Sequence, residues 1–207
     1  MTGNNGTEHM DLRVQRTYKL LSSSFEQLLK KRSYNQITVQ EICEAAMVRR
    51  TTFYQHFTDK HHFLVWFLKN KQRMFIAENF PFCCQSSFRE CFTSIMTRLL
   101  TYMRQNREII ESLSSCGLGD PNPIDDLVDS CVAELNGLFS SFPEAHLLPS
   151  DIPVSLVTNY YLGAVKAAAG WWFRGGCTYP EDRLAAHIYD LFRTDFASAE
   201  APREEQP

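Results

Sequence analysis

The amino-acid sequence predicts an all-α fold, and three observations carry the prediction. Apolar residues recur at spacings of three and four through most of the chain, which puts them on one face of a helix. Cap and stop residues punctuate those stripes at helix-length intervals. No segment alternates apolar and polar residues with period two, and no internal repeat occurs.

Residues 1–10 are polar and rich in Gly and Asn, and are expected to form a disordered leader. From Asp11 the pattern turns helical. Val14, Tyr18, Leu21, Phe25, Leu28 and Leu29 make one stripe, which ends at Lys30-Lys31-Arg32. Cations there complement the helix dipole. Ser33 to Gln36 reads as a connector. Thr38 is a good N-cap and Glu41 stands three residues on, a capping box. Val39, Ile42, Cys43 and Ala46 supply the apolar face of a short second helix, and Met47-Val48 breaks it. A third short helix is expected from Arg49 to Phe57, with Phe53 and Phe57 inward. Thr58-Asp59 starts a fourth, whose Phe63, Leu64, Phe67 and Leu68 face a core.

Pro81 and the polar stretch Gln85 to Ser87 mark a junction, dividing the chain into domains at 11–73 and 74–197. Beyond it one long helix carries Phe88, Phe92, Ile95, Met96, Leu99 and Met103 on a single face. Ser114 to Pro121 is a loop, and Ile124 to Phe142 is a further amphipathic helix. Val154 to Arg174 is the most apolar helix, and Gly175-Gly176 stop it. Pro180 opens the last helix, striped by Leu184, His187, Ile188, Leu191 and Phe192. Residues 198–207 are expected to be a disordered tail.

The chain has 207 residues, 44% of them apolar, enough for one small module and a larger helical domain. Its net charge of −3 conceals an asymmetry. Residues 11–73 hold 12 Lys and Arg against 5 Asp and Glu, whereas residues 74–207 hold 9 against 18. A basic head on an acidic body implies that the head meets a polyanion and the body does not. The densest apolar run, Phe63 to Leu68, is far too short to span a bilayer, and no signal peptide opens the chain, so no membrane partner and a cytoplasmic location are expected. The seven Cys contain no CxxC pair, and they are expected to be buried thiols. GxSxG, P-loop, HExxH and dinucleotide motifs are all missing, so the reading is not an enzyme and requires no cofactor. His146, His187 and the scattered Cys lack metal-ligand spacing, so no metal is expected.

Residues 38–60 form the segment that carries function. A capped short helix, a tight turn and a second helix of about two turns have the form of a helix-turn-helix. With Phe53 and Phe57 inward, the other face carries Arg49, Arg50, Thr51, Thr52, Gln55 and His56, each a hydrogen-bond donor. Arg reads guanine as a fork, Gln reads adenine, and Thr touches phosphate or a thymine methyl. No acidic residue lies between Arg49 and Phe57, although a merely solvated helix usually mixes signs.

The run Ile37-Thr38-Val39-Gln40-Glu41-Ile42-Cys43-Glu44-Ala45-Ala46, followed by Thr52-Phe53-Tyr54-Gln55-His56-Phe57 and Lys60, resembles the DNA-binding domain of TetR/AcrR-type bacterial regulators. The resemblance covers roughly residues 11–68. It implies that Thr38 contacts phosphate at the start of the second helix and that Tyr54 and Lys60 clamp phosphates across the groove. It also implies that Arg50, Thr51 and Gln55 face base edges, with Thr52 and His56 reaching phosphate or flanking bases. Two residues depart from the family pattern. Met47 stands where Gly is usual, so another turn geometry is expected, because a left-handed conformation is costly for Met. Arg49 stands where a small polar residue is common, and would add a phosphate contact.

The segment Tyr160-Tyr161-Leu162-Gly163-Ala164, then Gly170-Trp171-Trp172, Gly175-Gly176 and Pro180-Glu181, resembles the C-terminal domain of a Firmicutes-type, dihydroxyacetone-kinase activator-like branch of that family. Family members use this domain to dimerise and to hold an effector. Gly163, Ala164, Ala167 and Ala168 would let a partner helix approach closely, and Leu184, Ile188 and Leu191 would join them in a four-helix homodimer interface. Tyr102, Met103, Cys131, Phe139, Tyr161, Trp171 and Trp172 are the candidate lining of an effector pocket. The function read from all this is a dimeric repressor that binds near-palindromic double-stranded DNA and is released by an effector, an unknown small molecule or a protein partner. The alternative is control by a protein partner through the C-terminal domain.

Overall fold

A computed structural model describes residues 12–79, 87–114 and 153–197. Among them lie eight α-helices and no strand. They are α1 (Leu12–Leu29), α2 (Val39–Ala46), α3 (Arg50–His56), α4 (Lys60–Asn79), α5 (Phe88–Gln105), α6 (Arg107–Ser114), α7 (Val154–Arg174) and α8 (Glu181–Ala197), with a 3₁₀ turn at Tyr34–Gln36. The helix expected from Ile124 to Phe142, the leader and the tail lie outside the described residues. The helices form two compact units. The first holds the chain through Phe67 together with α6, and the second begins at Leu68, inside α4.

The first unit is built on aromatic burial. Leu21, Phe25 and Leu29 stack along one face of α1 at the i, i+4 spacing and are fully buried. Ile42, Cys43 and Ala46 are the buried side of α2. Phe63 of α4 is the meeting point: its ring lies 5.1 Å from Phe25, 5.5 Å from Phe53 and 4.9 Å from Phe57. Each such ring buried contributes roughly 1.5–3 kcal/mol. Tyr18 packs at the edge of this cluster against His56, Phe57 and Trp66. The connector before α2 is more ordered than its polar sequence suggests. Tyr34 is buried there, 6.4 Å from Phe25, and folds its neighbours into the 3₁₀ turn.

The turn between α2 and α3 corrects an expectation. Met47 adopts the left-handed conformation at φ 54°, ψ 37°, the geometry that Gly usually supplies. Its N–H donates to the Glu44 carbonyl at 3.1 Å, and the Val48 N–H donates to the Cys43 carbonyl at 2.9 Å. That pair of bonds is a Schellman motif. The side chain of Met47 is 89% exposed, so the left-handed backbone gains nothing from side-chain burial.

The long helix expected after residue 87 is α5, and a separate helix that the sequence did not announce, α6, follows it. Asn106 ends α5: its side-chain amide and its N–H both donate to the Tyr102 carbonyl, at 2.8 and 3.0 Å. An amide side chain competing for a helical carbonyl favours a stop. After the break α6 belongs to the first unit, where Ser112 Oγ donates to the Arg32 carbonyl at 2.8 Å.

In the second unit, α5, α7 and α8 share a core of Met96, Leu100, Ala169, Trp172, Leu184, Ala185 and Ile188. Trp172 is 1% exposed, and its indole N–H donates to the Tyr179 carbonyl at 2.7 Å, so the buried donor is satisfied. Gly176, at φ 77°, and Cys177, at φ 56°, turn the chain left-handed after α7.

Replacing Met47 by Gly should relieve the left-handed strain. Urea unfolding of Met47→Gly is expected to show about 1 kcal/mol of added stability; a loss of stability would contradict the assigned turn.

Candidate nucleic-acid interface

The interface starts from the residues that fix α2. The Glu41 N–H donates to Thr38 Oγ1 at 3.2 Å, and the Thr38 N–H donates to Glu41 Oε2 at 2.9 Å. Both halves of the capping box are therefore made. Arg32 adds an ion pair to the other carboxylate oxygen of Glu41 at 2.6 Å. The Thr38 backbone and side-chain hydrogen bonds hold the Glu41 carboxyl below its ordinary value, with Arg32 assisting. Asp59 caps α4 in the same way. It accepts the His62 N–H at 2.7 Å, which keeps its carboxyl below the ordinary value. Burial pushes the Cys43 thiol up, against the pull of Arg50.

Helix α3 spans Arg50–His56, with Arg49 at its N-cap and Phe57 at its C-cap. Phe53 and Phe57 are inward, at 0% and 2% exposure. This leaves Arg50, Thr51, Tyr54 and Gln55 on one outward face, all exposed, while Thr52 and His56 are half-buried at its flanks. Arg49 is exposed just before the helix. The Arg50 guanidinium lies 5.8 Å from the Tyr54 ring centroid, a cation–π approach that orders the outward cation. His56 sets its ring against Tyr18 at 5.2 Å. The outward face thus carries donors and a cation but no carboxylate, at the scale of a major groove.

Lys60 departs from the phosphate-clamp expectation. Its ammonium donates to the Tyr34 carbonyl at 2.9 Å and the Ile37 carbonyl at 2.7 Å, and sits 4.2 Å from the centroid of the Tyr34 ring. A buried aromatic beside two turn carbonyls attracts the cation inward, and the polar connector gave no sign of it beyond Tyr34 itself.

Of the candidate pocket residues that are described, Met103 packs against the core that holds Trp172. Trp172 belongs to the core of the second unit, and Trp171, one residue earlier and so about a quarter-turn round the helix, is 59% exposed. Tyr102, Met103 and Tyr161 are half-buried, and Tyr102 meets Phe75 at 5.8 Å. Cys131 and Phe139 lie outside the described residues. The candidate dimer residues also divide. Leu184 and Ile188 are buried in the unit's own core and are corrected from that list, because α8 turns this face toward α5. Gly163 and Ala167 are exposed, Ala164 and Ala168 are half-buried, and Leu191 is 66% exposed. A side chain added at Gly163 would meet nothing within 4 Å. Among the described residues, no cluster of His, Cys, Asp and Glu could hold a metal, and no helix is long and apolar enough to cross a membrane.

Residues 26–65 match the family model described as bacterial regulatory proteins, tetR family. The chain is 33% identical over 63 residues to the HTH-type dhaKLM operon transcriptional activator DhaS of Lactococcus lactis subsp. lactis (strain IL1403). That match covers 30% of this chain and 34% of the relative, so the chain spans about a third of the length of the curated relative it matches. Among solved structures, the fatty acid degradation regulator FadR from Bacillus halodurans superposes with a TM-score of 0.66 at 16% identity, covering 84% of this chain and 93% of that one. The transcriptional regulator FadR from Bacillus subtilis, solved in complex with stearoyl-CoA, superposes with a TM-score of 0.67 at 16% identity, covering 84% and 96%. These likenesses show a shared fold.

Glu41 and Asp59 give a pH dependence of defined sign. Both carboxyls are depressed in the folded chain, so the stability they add is present above the ordinary values of 4.5 and 3.8 and is lost as pH falls through the lower folded values. Thermal melts from about pH 5 to about pH 3 should therefore show a falling midpoint. Glu41→Gln should narrow that fall; a fall as steep as in the original chain would contradict the role of the cap.

Proposed function

We propose that the chain carries a DNA-binding domain of the tetR type, on the match of residues 26–65 to that family model, and that the whole protein is a sequence-specific transcriptional regulator acting on duplex DNA. The observation that carries this reading is the outward face of α3. Arg50, Thr51, Tyr54 and Gln55 stand together on it, with Arg49 beside them and no carboxylate among them, over the buried Phe53 and Phe57. In this reading Arg50 and Gln55 contact base edges. Arg49, Thr38, Tyr54 and the flanking Thr52 and His56 contact phosphate or adjacent bases and set the register.

One helix of about two turns reads too few bases to be specific alone, so the protein acts as a homodimer on two half-sites. Support comes from α7. Leu156, Tyr160 and Trp171 are more than half exposed and fall on one stripe with Gly163 and Ala167. Small residues between large apolar ones suit the close approach of a second copy of the helix. The finer reading is a repressor released from a near-palindromic operator when an effector favours a different half-site spacing. The Bacillus subtilis neighbour, solved with stearoyl-CoA, makes a small molecule one source of that signal. The relative that is a transcriptional activator keeps activation as the second reading.

Selection of bound duplexes from a random pool should enrich a two-fold symmetric site. Arg50→Ala should lose preference at one position per half-site, by about 1–3 kcal/mol. Enrichment of nothing by the original chain would defeat the reading. Sedimentation should separately show a dimer that Trp171→Arg converts to monomer; a dimer unmoved by that substitution would place the interface elsewhere.

A further inference from the structure

The segment between α1 and α2 is held from three directions. Ser112 of α6, 8% exposed, donates to the Arg32 carbonyl at 2.8 Å. The Arg32 guanidinium pairs with Glu41 of α2. Lys60, the first residue of α4, reaches back to the Tyr34 and Ile37 carbonyls. The last of these contacts completes a clamp on a single peptide group. The carbonyl side of the Ile37–Thr38 peptide accepts from the Lys60 ammonium at 2.7 Å, and its N–H donates to Glu41 Oε2 at 2.9 Å. Helix α2 starts at this peptide, and its N-cap is Thr38.

We propose that Lys60 is a positioning residue of the DNA-binding unit: it orients the start of α2, and through it the α2–α3 pair, rather than neutralising a phosphate. The inference rests on the DNA-binding reading above. The ammonium has three donors and no acceptor. Two donors are committed to carbonyls, and a ring face 4.2 Å away takes part of the remaining charge. Moving the cation to a phosphate would strip both carbonyls of a charged donor, a costlier loss than that of a neutral hydrogen bond. Tyr34 and Ile37, at 5% and 1% exposure, anchor the carbonyls in the core, so the segment cannot follow the lysine outward.

Salt dependence separates the two roles, because each phosphate neutralised by a cation adds about 0.9 to the slope of log affinity against log salt. Binding of the full chain to a mixed-sequence duplex is measured from about 50 to about 200 mM salt for the original chain and Lys60→Met. The expected result is several-fold weaker binding with an unchanged slope, in protein shown by circular dichroism to be folded. A slope lower by about 0.9 would overturn the proposal, and so would unchanged affinity. Amide exchange without DNA supplies an independent measurement. Lys60→Met should exchange about tenfold faster at Thr38 and Glu41 while Phe67 is unmoved, the mark of a local opening. Equal exchange at Thr38 would overturn the proposal. Should Lys60→Met fail to fold, Tyr34→Leu removes the ring from beneath the ammonium and is expected to act in the same direction in both measurements. An original chain that binds no duplex at any salt defeats the DNA-binding reading alone, and the exchange measurement then decides the role of Lys60.

Discussion

Phe63 is the residue on which the first unit depends. It touches Phe25 of α1 and both inward rings at α3, Phe53 and Phe57, so three segments share one buried aromatic contact. Helix α3 is only seven residues long, too short to persist by its own hydrogen bonds. Its stability is borrowed from that contact. Because Phe53 and Phe57 must point inward to make it, Arg50, Thr51, Tyr54 and Gln55 must point outward. The apolar packing thereby decides where the polar chemistry stands.

The charged groups near this core have two different duties. Those on α3 are outward and carry no carboxylate partner on their own helix. Those around the start of α2 are committed to internal work: Arg32 to Glu41, Glu41 to Thr38, and Lys60 to two carbonyls. The basic balance of the N-terminal segment therefore overstates the charge available to a polyanion. The acidic caps Glu41 and Asp59 are compatible with a DNA-binding surface for the same reason, since their carboxylates are absorbed by helix starts.

Much of this was legible in the sequence. The Thr38/Glu41 spacing announced the capping box, and the i, i+4 placement of Phe53 and Phe57 announced which face of α3 is outward. What stayed hidden depended on contacts distant in sequence or on competition at single residues. Nothing local to Lys60 shows that Tyr34, 26 residues earlier, draws it inward. The stop at Asn106 turns on one side-chain amide outbidding a continuing helix. Met47 holds a glycine-like turn because two backbone bonds compensate for its strain, which propensity alone argues against. In α8 the stripe was read correctly as apolar, but a stripe does not say whether its partner is the same chain or another. Leu184 and Ile188 face their own core, while Leu191 faces out.

The central claim is that the outward face of α3 lies against duplex DNA. Backbone amide resonances, recorded with and without a duplex recovered from the random pool, test it most directly. The account expects perturbations concentrated at Arg50, Thr51, Tyr54 and Gln55 and at the start of α2, with the buried Phe53 moving less. Perturbations absent from α3 and confined to α7 or α8 would contradict it.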